Sequence, residues 1–243
     1  MRILAASAGF RPARRTQLEP GPIIEYAFEL AGSPARPRFC HVGTASGDSP
    51  VYAANVAGAF TGRDVVVSSL AAFPMPTVAD VRAHLLAQDV VWVGGGSVAG
   101  LLAMWRLHGW DEIFGEVWEA GVVLGGVSAG SLCWHIGGTT DSFGPELRPV
   151  TNGLALLPYS NGVHYDSEDQ RRPLYHRLVA EGMLPPGYAT DDGVGLLYEG
   201  TELIEAVADR PDAAAYRVER AADGTAVETR IEPRLLEDAD HPP

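Results

Sequence analysis

Cysteine is scarce in this chain of 243 residues: Cys40 and Cys133 are the only two. Two distant thiols provide neither a disulfide framework nor a Cys-x-x-Cys metal site, and Cys133 reads as a small packing residue. Positive charge is thin as well. The 18 basic residues stand against 31 acidic ones, for a net charge of -13. That balance argues against a broad basic surface for nucleic acid and mainly favours solubility. Long apolar runs are missing: nothing approaches the ~20 residues of a membrane helix. The opening "MRILAASAGF" is a short apolar run that meets Gly, Arg and Pro, so it reads as a first strand rather than a signal peptide. Repeats, low-complexity segments and Gly/Pro/Ser linkers are lacking too. The expectation is a cytoplasmic globular protein with one domain over residues 1–236 and a disordered tail at 237–243.

What is present is an alternation of β-branched runs with helical patterns. Strands are expected over 2–6, 38–43, 64–69, 90–93 and 122–126, and helices over 23–31, 51–60, 78–88, 98–107 and 112–120. The strand runs are almost wholly apolar, as in a parallel sheet covered on both faces. The last third reads as loop, a helix over 167–181 with Pro173 near its start, and short strands near 188–189, 195–198, 203–208, 215–219 and 226–231. In such sheets ligands sit beyond the carboxyl ends of the strands. That rule singles out Ser7–Gly9, Thr44–Ser49, Gly94–Ser97 and Gly126–Gly130.

The last of these, within "GGVSAGSLCW", has the Gly-x-Ser-x-Gly spacing of a nucleophile elbow, with an apolar strand before it and a helix expected after it. A serine there stands above the sheet at a helix N-terminus, where free N–H groups favour an oxyanion. Ser128 is the candidate nucleophile, and Ala129 can lend its N–H. The plainer reading is a packing turn without chemistry. "VVWVGGGSVAGLL" repeats strand, glycines and helix. It lacks both the last glycine of the dinucleotide fingerprint and the Gly-Lys-Ser/Thr of a P-loop. Gly96, or its neighbour Gly95, is the candidate for the second oxyanion donor.

A serine needs a base. Of seven histidines, His84, His108, His176 and His241 read as structural or solvated, and His41 as a strand residue. His135 would lie on the elbow's own helix, about 10 Å along its axis. His164, in the polar stretch "NGVHYDSEDQRR", can fold over the elbow and is the best base. An orienting carboxylate could come from Asp141, Asp166, Asp191 or Asp192, and spacing does not choose among them. The acidic run around His164 reads as a solvated loop rather than a metal site. Arg171 and Arg172 are either a charged helix face or a fork for a substrate carboxylate.

Together, "VVWVGGGSVAGLL", "GGVSAGS", "VHYDSEDQRRP" and "YATDDGVGLL" resemble the peptidase E family of serine peptidases, which includes aspartyl dipeptidases and the related cyanophycinases. The similarity runs from about Met1 to Ala208 and is closest to actinobacterial peptidase E-like proteins. It implies an α/β fold that is flavodoxin-like, a mostly parallel sheet flanked by helices, similar to class I glutamine amidotransferases. It also implies Ser128 as nucleophile, His164 as base and Asp192 as the acidic member, with Asp191 and Asp141 as alternatives. Gly96 and Ala129 would form the oxyanion hole, and Arg171 or Arg172 would select an N-terminal Asp. This chain carries Ser97 where many relatives have Asn, and Asp where the acidic member is usually Glu. The expected activity is hydrolysis of short peptides, dipeptides with an N-terminal Asp among them, with no metal or organic cofactor. The expected partners are a short peptide substrate and a second copy in a homodimer; neither nucleic acid nor membrane is expected. Two rival readings are an α/β-hydrolase esterase using Ser128, Asp141 and His164, and a non-catalytic small-ligand-binding protein.

Overall fold

The computed structural model describes residues 1–237. Its strands, in chain order, are β1 Arg2–Ala6, β2 Phe10–Pro12, β3 Leu18–Pro20, β4 Arg38–Val42, β5 Val66–Leu70, β6 Val90–Val93, β7 Val123–Val127, β8 His135–Thr140, β9 Arg148–Val150, β10 Leu157–Gly162, β11 Gly187–Thr190, β12 Val194–Glu199, β13 Glu202–Ala208, β14 Ala215–Arg220, β15 Ala226–Ile231 and β16 Arg234–Leu235. The helices are α1 Pro22–Leu30, α2 Pro50–Ala59, α3 Val81–Leu86, α4 Val98–His108, α5 Trp110–Glu119, α6 Ala129–Leu132 and α7 Arg171–Ala180.

The first sheet runs β16-β13-β12-β1-β7-β6-β4-β5. From β5 to β1 every neighbour is parallel, and these are the near-continuous apolar runs seen in the sequence. Beyond β1, β12 pairs antiparallel with β1 and β13 antiparallel with β12, and the edge strand β16 is parallel to β13. A second sheet, β15-β14-β11-β10-β8-β9, mixes both senses. A two-stranded hairpin joins β2 to β3. The architecture is mixed α/β: the expected mostly parallel sheet flanked by helices is met in part, since the first sheet also carries antiparallel pairs and a second, mixed sheet covers part of one face.

One apolar cluster packs α1 and α2 on one face of the first sheet through Ile23, Ile24, Phe28, Phe39, Phe60 and Trp92. The other face is covered by α3, α4 and α5 and by the second sheet. There a single cluster joins Ile3, Val91 and Leu124 to Trp105 and Phe114, and on to Leu157 and Tyr188. Helix α7 covers the far side of the second sheet. The chain leaves the first sheet after β7, crosses in the four residues of α6, and begins the second with β8. It returns between β11 and β12.

Two readings of the sequence fail here. The stretch after the elbow is not one long helix. α6 ends at Leu132, and His135 opens β8, buried, with Nδ1 donating to the Ser131 carbonyl at 2.9 Å. His108 closes α4 rather than following it. The expected disordered tail falls, apart from Glu237, outside the described residues, as does His241. Among the described residues no helix is long and apolar enough to cross a membrane.

Candidate active site

Ser128 lies between the end of β7 and α6 with φ 58° and ψ -112°, a left-handed conformation that a side chain rarely adopts. Its neighbours explain how the turn can be so tight. A Cβ at Gly126 would stand 2.4 Å from the Gly130 carbonyl oxygen, and one at Gly130 would stand 2.1 Å from that of Val93. Both glycines of the motif therefore serve close backbone approach. The Ser128 N–H donates to the Ala6 carbonyl at 3.0 Å, tying the elbow to β1.

The triple glycine ends β6 beside the elbow. A Cβ on Gly95 would lie 3.3 Å from Ser128 Cβ and 3.9 Å from Ser128 Oγ. Gly96 has φ 131°, and a Cβ there would sit 2.3 Å from the Ala45 carbonyl oxygen. Ser97 then starts α4, its Oγ accepting the Gly100 N–H at 3.0 Å. Among the described residues the N–H groups of Gly95, Gly96 and Ala129 donate to no protein acceptor, and Ser128 Oγ makes no hydrogen bond.

His164 follows β10 in a left-handed conformation, φ 53°. Its N–H donates to Ser7 Oγ at 3.2 Å, and Ser7 Oγ also meets the Thr190 hydroxyl at 2.7 Å. Ser7, buried at the end of β1, therefore stitches the first sheet to the end of β11 in the second and holds the histidine's backbone. The imidazole Nδ1 lies 2.5 Å from Asp192 Oδ1. Burial alone would raise the Asp192 pKa. The hydrogen bonds from His164 and Ser167, with the charge of Arg210, bring it below its ordinary value.

The Asp192 backbone is fixed in turn. Its N–H donates to Asp166 Oδ1 at 2.8 Å, its carbonyl accepts from Arg210 Nε at 2.6 Å, and Arg210 also pairs with Asp166. Asp191 points elsewhere: its Oδ2 accepts the Ala214 N–H at 3.0 Å and the Tyr216 hydroxyl at 3.3 Å, and burial raises its pKa. Asp141 is exposed in a shallow groove with Glu168 and Asp169 and does not contact His164. Of the candidate carboxylates, only Asp192 meets the imidazole.

His164 and Asp192, with Ser7 and Ser46, form the polar side of a cleft of about 470 Å³. Ala8, Phe10, Tyr52 and Val127 line it too, with Gly9 and Gly95. Neither Arg171 nor Arg172 does. Arg171 is 2% exposed and is used internally, on Glu168 at 2.8 Å and on the Thr139 carbonyl. Arg172 stacks over the rings of Tyr165 and Tyr216, at 4.7 and 4.6 Å, and faces Glu228. Both arginines were expected to bind substrate; here Arg171 is held by Glu168 and the Thr139 carbonyl, Arg172 lies over two tyrosine rings, and neither lines this cleft. Sequence reasoning marked Ser7 as a strand end without giving it a role, and gave no signal for Phe10, Tyr52 or Arg210, which only the tertiary fold brings here.

The sequence profile of peptidase family S51 matches residues 13–206. The chain belongs to this family. The S51 span holds the elbow, the glycine loop, His164 and Asp192. The chain is 42% identical over 183 residues to the uncharacterised peptidase YgaJ of Bacillus subtilis (strain 168), covering 75% of this chain and 78% of that one. Its fold is similar to that of a peptidase from an acI-B1 actinobacterium (TM-score 0.64, 15% identity, 96% and 94% of the two chains). It is also similar to that of a candidate peptidase E protein from Listeria monocytogenes EGD-e (TM-score 0.60, 17% identity, 84% and 96%). The family profile and the Bacillus relative agree on peptidase family S51, and the two solved structures share the chain's fold.

Proposed function

We propose that this S51 member is a serine-type exopeptidase that hydrolyses short peptides, dipeptides among them, through an acyl-enzyme on Ser128. The observation that carries this reading is the left-handed Ser128 turn beside a cleft walled by a His164–Asp192 pair. His164 Nε2 takes the Ser128 hydroxyl proton as Oγ bonds to the peptide carbonyl carbon. Asp192 accepts from Nδ1, which leaves Nε2 as the base and stabilises the imidazolium. The N–H groups of Ala129 and of Gly96 or Gly95 receive the oxyanion. As the C–N bond breaks, His164 returns the proton to the leaving amine. Water, deprotonated by His164, then splits the ester and frees Ser128. The Ser128–His164 hydrogen bond forms with substrate, as catalytic contacts often tighten only in the complex. A cleft of about 470 Å³ suits a ligand of dipeptide size. Two free, buried cysteines accord with work in the reducing cytoplasm.

The test is labelling with a fluorophosphonate, read by intact mass, beside turnover of a dipeptide panel. One adduct on wild type, none on Ser128→Ala, and loss of turnover in that variant are expected. Turnover that survives Ser128→Ala would sink the mechanism.

A further inference from the structure

We infer that the cleft beside Ser128 selects substrates with an uncharged, apolar side chain flanking the scissile bond, and that Phe10 and Tyr52 set this preference. The inference rests on the peptidase reading for its chemistry, but not for its binding.

Four of the residues that line the cleft, Ala8, Phe10, Tyr52 and Val127, are only partly buried and pack against the apolar cluster under α1 and α2. They leave apolar surface facing the site, and a ligand that covers it gains by removing that surface from water. The wall is anchored. Phe10 meets the rings of Phe39 and Phe60 edge-on at 5.9 and 5.8 Å. Tyr52 lies in the first turn of α2, its N–H capped by Ser49 Oγ at 3.3 Å, and its ring is 5.4 Å from that of buried His41. Rings held this way offer contact area at little further entropic cost.

Charge points the same way. Among the described residues no arginine lines this cleft. Arg11 follows Phe10 in β2, where successive side chains face opposite ways, and it pairs with Glu19 at 2.9 Å. Arg210 is occupied by the Asp192 carbonyl and the Asp166 carboxylate. An acidic substrate side chain would lose its hydration against Phe10 and Tyr52, with the Asp192 carboxylate nearby and, among the described residues, no guanidinium lining the cleft to receive it. A leucine or phenylalanine side chain loses nothing comparable.

The experiment measures kcat/KM for dipeptides whose first or second residue is Asp, Lys, Ala, Leu or Phe. In parallel, titration calorimetry measures binding of the same dipeptides to Ser128→Ala. We expect Leu and Phe peptides to lead Asp peptides by about tenfold or more. Tyr52→Ala and Phe10→Ala should each shrink that ratio, mainly through KM, and Tyr52→Arg should tilt it towards Asp. A thermal melt checks each variant, and Tyr52→Ala suffices if Phe10→Ala does not fold. Ser128-dependent hydrolysis that prefers Asp or Lys peptides would overturn the inference and leave the peptidase reading standing. Apolar-selective binding without turnover of any peptide would do the reverse. Absence of both would remove both.

Discussion

Ser128 holds its backbone at φ 58°, where a residue with a Cβ is strained by about 1–3 kcal/mol. Glycine relieves that strain at an entropic cost of roughly 0.5–1 kcal/mol. Ser128→Gly should therefore be inactive yet as stable as wild type or more so, by up to about 2 kcal/mol. A urea melt that showed clear destabilisation would mean the turn is not strained. At this scale the sequence nominated Ser128, His164 and Asp192, and the structure puts the last two in hydrogen bond. Spacing alone did not separate Asp192 from Asp191; the family resemblance named Asp192. In a turn, two adjacent carboxylates diverge according to partners that arrive from far along the chain, here Ala214 and Tyr216 for Asp191. Arg171 and Arg172 were open to two readings for the same reason: in sequence a guanidinium looks alike whether it ends beside a helix or in a cleft.

Between strands and helices, the triple glycine divides its labour. A methyl on Gly96 meets the Ala45 carbonyl oxygen at 2.3 Å with φ 131°, so Gly96→Ala should lower the melting temperature by several degrees or prevent folding. The nearest atoms to a methyl on Gly95 are the Ser128 side chain and the Val127 carbonyl, at 3.3 and 3.5 Å. Gly95→Ala should melt close to wild type and lose turnover on the order of tenfold, through a nucleophile displaced by a few tenths of an ångström. Equal melting temperatures for the two variants would contradict this division. The five parallel strands and the helices between them were legible, because their apolar runs are long and bounded. β8 was not. A four-residue α6 is too short to show a period, and "SLCWHIGG" reads equally as helix or strand. With β8 unrecognised, the second sheet had no starting point.

For the molecule as a whole, buried imidazoles set the acid limit. His41 and His135 are 2% and 0% exposed, and burial holds the pKa of each down to about 4. Between pH 6.5 and 4 the unfolded chain binds protons at these sites that the folded chain refuses. Stability therefore falls as pH drops through that window, by on the order of 3 kcal/mol per histidine. Asp192, whose pKa is lowered, adds stability above its unfolded value and loses it as pH falls through its folded one. Melts from pH 7 to 4 should steepen below 6.5, and His41→Asn should flatten the slope. An unchanged slope would assign the acid limit to other groups.

The crossing from one sheet to the other has a consequence for how this protein ages and fails. Ser128 rides on the first sheet, His164 on the second, and Asp192 on the strand-to-strand passage that joins them, with the Ser7–Thr190 contact as the rivet. The three residues are divided between the two slabs. A slip of the two slabs by about an ångström, too small to expose the core, would already move the proposed nucleophile away from its proposed base. If these three residues act together as proposed, they form a strain gauge across the joint: heat, solvent or a distant cavity should silence turnover while the molecule is still folded.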